Sequence, residues 1–105
     1  MALPLSAPKY LPVTASSSGD NPIVTAVTGK KIRVLSYVLS SSGSVNAKWR
    51  SGTTDISGLI YTAATTNASS TAPLGLFETA AGQALNLNLS AAVPMGGHLT
   101  YVEVG

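Results

Sequence analysis

Along most of this chain apolar and polar residues alternate with a period of two, and from Asn21 on turn-forming residues interrupt the alternation about every 8–12 residues. Such spacing predicts short β-strands. The clearest run is "QALNLNLSA" (83–91), which sets Leu85, Leu87 and Leu89 on one face and Asn86, Asn88 and Ser90 on the other. "SVNAKWR" (44–50) does the same with Val45, Ala47 and Trp49 against Asn46, Lys48 and Arg50. Further strands are expected at 22–27, 30–39, 59–63, 74–79 and 98–104, and "TTNASSTAP" (65–73) reads as a long polar loop. Helical spacing is nearly absent, and Gly82 interrupts the best helix-forming stretch, "FETAAGQAL". The prediction is an all-β fold, a single antiparallel sandwich of about eight short strands.

Residues 1–21 stand apart. Pro4, Pro8 and Pro12, with Pro22 just beyond, favour extended backbone, and "TASSSGD" reads as loop. The segment is expected to be an extended N-terminal arm with one short strand around 10–13, leaving 22–105 as the sandwich domain. It has too little apolar surface for a core of its own, so it is expected to order on a partner.

Pairing Leu39 with Val45 across "SSSGS" would set Tyr37 opposite Ala47 and Leu35 opposite Trp49, which predicts a β-hairpin. Five of the six basic residues then fall on or beside this hairpin, and Lys48 and Arg50 become its solvent side. Two strands look apolar on both faces: 34–39, and 98–104 with Leu99 and Tyr101 opposite Val102 and Val104. Strands of that kind need cover on both sides, from a long loop or from another subunit.

Composition sharpens that expectation. Only 10% of the 105 residues are charged against 45% hydrophobic, so the chain is poorly equipped to remain a monomer. A homo-oligomer is expected. The formal charge of +2 is too small for a nucleic-acid footprint, and no apolar run is long enough for a membrane span. The N-terminus, broken by prolines and without a charged leading region, does not read as a signal peptide. With no cysteine, disulfides and thiolate metal sites are excluded.

Candidate chemistry is sparse. One histidine, His98, opens a strand, and the four acids Asp20, Asp55, Glu78 and Glu103 lie on separate elements. No spacing suggests a general acid and base, a nucleophile with its partner, a metal site or a phosphate loop. No enzyme activity and no cofactor are expected. Trp49 has two readings: in phase with Val45 and Ala47 it belongs to a core or a subunit interface, and if exposed it would be a sugar-stacking platform.

"GKKIRVLSYVLSSSGSVNAKW" (29–49), followed by "GLFETAAGQALNLNLSAAVPMGGHLTYVEV" (75–104), resembles small β-sandwich virion proteins of tailed phages. The closest resemblance is to capsid decoration (cement) proteins, over about residues 21–104. It implies a jelly-roll-like core, a homotrimer, and a place on the phage head after synthesis in the host cytoplasm. The partner implied is the major capsid protein or another virion protein. The function expected is that of a structural protein that stabilises a capsid through its N-terminal arm and sheet-edge contacts. The candidate oligomer or capsid interface is Leu3, Leu5, Tyr10, Leu11, Val13, Tyr37, Trp49 and Tyr101. A second reading is a carbohydrate- or receptor-binding module of a phage tail, carried by Trp49, Tyr61 and the Asn-rich face.

Overall fold

The computed structural model describes residues 7–64 and 67–105. Ten strands form two antiparallel sheets packed as a sandwich: β1 (Lys9–Ala15), β2 (Gly19–Val24), β3 (Lys31–Ser41), β4 (Val45–Ser51), β5 (Thr54–Asp55), β6 (Ile60–Thr62), β7 (Asn67–Thr71), β8 (Phe77–Glu78), β9 (Leu85–Leu89) and β10 (Met95–Val104). The first sheet has the order β1-β10-β3-β7, with β8 also paired to β3. The second runs β2-β9-β4-β5, with β6 also paired to β4. From β1 to β4 the chain changes sheet at every step, and β9 and β10 again lie in opposite sheets. No helix occurs among the described residues.

Alternation explains the core. In β4, Val45, Ala47 and Trp49 point inward, and in β9 Leu85, Leu87 and Leu89 do. They meet Val13, Ile32, Val34, Leu39, Met95 and Leu99 from the first sheet. Leu87 is fully buried, so Leu87→Ala should cost about 2–5 kcal/mol. Its outward neighbour Asn86 makes one side-chain bond, Nδ2 to the Gly52 carbonyl at 2.8 Å, so Asn86→Ala should cost about 1 kcal/mol. Urea melts of the two variants check the assignment of faces.

Three expectations are corrected. The 39–45 hairpin does not form: Leu39 pairs with Gly97 and Ala68, and Val45 with Thr62. Ser42, Gly43 and Ser44 instead carry the chain from one sheet to the other. Tyr37 meets Trp49 instead of Ala47, across the sandwich rather than along a ladder, with ring centroids 5.5 Å apart. Second, the expected arm is part of the sandwich from Lys9 onward. β1 pairs along its length with β10, β2 pairs with β9, and Val13 and Ala15 lie in the core. Prolines are tolerated there because both strands are sheet edges, where one side makes no ladder bonds. Deleting residues 1–15 would therefore remove an edge strand and two core side chains, not a tether. Third, the polar stretch expected as loop contains the edge strand β7.

A β-bulge in β3 alters the faces as well. Ser36 lies opposite Thr100 but Val34 opposite Tyr101, which leaves Leu35 unopposed. Val34, Tyr37 and Leu39 therefore face the core, while Leu35 joins the outer face.

The sandwich ends are sewn by buried hydroxyls. Ser41 Oγ lies 3.0 Å from Thr62 Oγ1, which donates to the Val45 carbonyl at 2.8 Å. At the other end Ser51 Oγ accepts from the Ala80 N–H at 2.9 Å, and Thr79 Oγ1 accepts from the Ile32 N–H at 2.9 Å. These bonds satisfy polar groups that would otherwise be costly to bury.

Candidate functional site

Two outer faces are open to a partner, and they differ in character. On the second sheet β2, β9, β4 and β5 bring Asp20, Asn88, Lys48, Arg50 and Asp55 together. Arg50 lies 3.1 Å from Asp20 and 3.0 Å from Asp55, Lys48 lies 3.2 Å from Asp55, and Asn88 donates to Asp20 at 2.8 Å. Each charge on this face is answered by its neighbour. The expected solvent side of a strand is thus a self-compensating ion network, and Asp20 and Asp55 are separated by a guanidinium rather than poised as an acid–base pair.

The first sheet repeats the pattern near its end. Glu78 on β8 accepts from Arg33 Nε at 2.9 Å and lies 3.4 Å from Lys31 Nζ. The Arg33 hydrogen bond, supported by Lys31, holds the Glu78 carboxyl below the usual glutamate range. A depressed folded-state value means that this carboxylate contributes stability above its unfolded value and loses the contribution as pH falls through the folded one. In an NMR titration the Glu78 carboxyl of Arg33→Ala should move up toward the ordinary value, and the variant should be less sensitive to acid below about pH 4.5. Lys9 pairs with Glu103 at 2.7 Å, so all four acids are engaged and Lys30 is the basic side chain without a carboxylate partner among the described residues.

The candidate interface residues separate into three groups. Val13 and Trp49 are corrected: both are interior, Trp49 without measurable exposure, so neither can touch a partner or a sugar while the sandwich is intact. Trp49 forms an internal aromatic cluster with Tyr37 and Phe77, the latter at 6.1 Å. Burial pushes the Tyr37 phenol pKa up. Leu11, Tyr37 and Tyr101 are half-buried and pack against the core, so Tyr101→Asp would act first on folding. Tyr10 is 75% exposed on the edge strand β1. Leu3 and Leu5 lie outside the described residues. His98 is exposed in β10, between Pro12 and Val38.

Periodicity alone did not single out the most apolar groove on the surface. Leu35, Val102 and Val104 on the outer face of the first sheet, with Pro8, Pro73, Leu74 and the Arg33 stem, line a groove of about 270 Å³. Leu74 is 87% exposed at its wall, whereas Val102 retains only 8%. The 72–76 loop is anchored over β3 by the Ala72 N–H to the Leu35 carbonyl (2.9 Å) and the Leu76 N–H to the Val34 carbonyl (2.7 Å). Gly75, at φ +114°, permits this approach: a Cβ there would lie 2.6 Å from Arg33 Cδ. The two-sided look of β3 and β10 was the available signal, and the loop covers only part of what that signal demanded.

Among the described residues no cluster of His, Asp or Glu could hold a metal ion, and no helix is long and apolar enough to cross a membrane. No protein-family model matches the chain, and no curated protein shows significant sequence similarity to it.

Proposed function

We propose that this chain is a structural protein of a tailed-phage virion, which decorates the head and stabilises it by bridging neighbouring capsid subunits as a homo-oligomer. The observation that carries this reading is the unfinished outer side of the first sheet. An apolar groove, an exposed Leu74 and an edge strand bearing an exposed Tyr10 lie on one sheet, while the charges on the outer face of the other are locked in pairs. A surface built this way gains by being covered with protein. The resemblance in residues 29–49 and 75–104 supplies the class of partner, the major capsid protein, and a trimer as the oligomer. The attachment element is revised from a free arm to the β1 edge together with the residues before it.

The tail glycan-binding alternative loses its main support. With Trp49 turned inward, Tyr61 is left as a single exposed ring on the second sheet, 73% accessible beside Asn46. The test is co-sedimentation with empty capsids assembled from the phage's own major capsid protein. The full chain should pellet with them, Tyr10→Asp should weaken pelleting, and Tyr61→Asp should not. A chain that stays in the supernatant, or a Tyr61 variant that alone loses binding, overturns the proposal.

A further inference from the structure

The free edges of the two sheets are not equally protected. An edge strand exposes a row of unpaired N–H and C=O groups that a further strand can join, and proteins blunt such edges with prolines, charges, bulges or brevity. β1 carries Lys9 and Pro12, and β2 carries Asp20 and Pro22, with a break in register between Pro22 and Val24. β5, β6 and β8 have only two, three and two residues. β7 has none of these devices. Its five residues, Asn67–Thr71, include no proline, glycine or charge, and they pair with β3 in unbroken register. Among the described residues nothing pairs with its far side. We propose that the β7 edge is a strand-addition site, which takes an extended, proline-free segment of the major capsid protein as a further strand of the first sheet. The proposal rests on the capsid attachment proposed above and gives it a second contact.

The alternation of an antiparallel ladder fixes which groups are on offer. The Ala72 N–H donates to the Leu35 carbonyl of β3 at 2.9 Å, so Ser70 and Ala68 also bond to β3, while Asn67, Ser69 and Thr71 turn their N–H and C=O groups outward. A row of alternating donors and acceptors at that spacing is answered by an extended backbone, which commits the edge to a peptide strand. The side chains leave room for one, since Ser69 and Thr71 are exposed, small and uncharged. On the opposite face Ala68 packs against the core. The incoming strand should therefore set an apolar side chain beside Ala68 and polar ones beside Ser69 and Thr71.

β1 lacks this capacity. The Val13 carbonyl oxygen points toward β10, 3.6 Å from where a Gly96 Cβ would stand, so Pro12 faces the free edge and removes the central donor there. β1 thus suits contact through the exposed Tyr10 ring, and β7 suits contact through the backbone. The two are opposite edges of one sheet, so a single decorating chain can hold two different neighbours.

Co-sedimentation of full-length variants with the same empty capsids tests the proposal. Ser69→Pro deletes an outward N–H and spares the β3 ladder, as Pro12 spares the ladder of β1, so its urea midpoint should stay close to the parent's. Ser70→Pro deletes a ladder bond and should lower the midpoint. Ser69→Pro should bind capsids about tenfold more weakly than the parent or worse, because it removes a hydrogen bond and sets a ring against the incoming strand. Ser69→Ala keeps the backbone and should bind like the parent. On the capsid the parent's Ser69 and Thr71 amides should exchange more slowly than in the free protein. A folded Ser69→Pro that pellets like the parent, or a Ser69→Ala that loses binding equally, overturns strand addition and spares capsid attachment through Tyr10. Unslowed Ser69 and Thr71 amides overturn it whatever the variants do, and an unfolded Ser69→Pro contradicts the outward direction of that N–H. A parent chain that stays in the supernatant defeats the capsid attachment and removes the strand's source with it. Self-association of the parent that disappears in Ser69→Pro, with pelleting intact, overturns the assignment by showing a second copy on the edge instead.

Discussion

Gly97→Ala should destabilise the protein severely, whereas Gly96→Ala, one residue earlier, should be nearly silent. Gly97 sits in β10 between β1 and β3, opposite Val13 and Leu39, at φ +150°. A Cβ built there would lie 1.8 Å from the Val38 carbonyl oxygen and 2.7 Å from its carbon. Those atoms belong to the backbone, so relief requires the β10–β3 ladder to part. Overpacking and backbone strain together should cost at least about 3 kcal/mol, out of the roughly 5–15 kcal/mol that holds a domain of this size together. A Cβ at Gly96 meets nothing nearer than the Val13 carbonyl oxygen at 3.6 Å, an ordinary contact. Urea melts followed by circular dichroism separate the two. Equally mild effects would mean that the register of the central pair of strands in the first sheet is wrong.

Trp49→Ala should be the most damaging side-chain truncation, at about 3–5 kcal/mol. The indole is fully buried on β4 and bridges the two sheets through Tyr37 and Phe77. Trp49→Phe should cost less than half as much. It keeps an aromatic ring in the cluster and removes an indole N–H that has no hydrogen-bond partner among the described residues, a donor whose burial costs about 1–3 kcal/mol. A Trp49→Ala cost under about 1 kcal/mol would place the ring at the surface and revive the sugar platform.

These residues also show how far the sequence could be read. Leu85, Leu87 and Leu89, like Val45, Ala47 and Trp49, were legible because a strand with one wet face must alternate, and in them nothing disturbs the period. The β3 bulge at Leu35 was not legible. An inserted residue shifts the phase without a mark of its own, so the expected pairing of Leu35 with Trp49 put Leu35 on the wrong face. The partner of β3 was misread for a related reason. A three-residue link can close a hairpin or turn the corner between sheets, and both leave Leu39 and Val45 facing inward. Pro12 and Pro22 suggested a free arm because proline is foreign to central strands, yet edge strands accept it. The ion network joins Asp20 to Arg50 across thirty residues, a proximity that no local spacing records. The groove was half visible: the two-sided strands announced a need for cover, but the incomplete lid of Pro73 and Leu74 emerged only from the folding of the 72–76 loop.

The proposed attachment to a phage head through the N-terminal edge of the first sheet is tested most directly by amide hydrogen exchange on the protein bound to empty capsids, compared with the free protein. β1 (Lys9–Ala15) is an edge strand with one unpaired side, and its amides should exchange more slowly in the bound state, most clearly around Tyr10, while the face formed by Asp20, Lys48, Arg50 and Asp55 should exchange as in the free protein. Slowed exchange confined to that charged face, with β1 unaffected, would contradict the account.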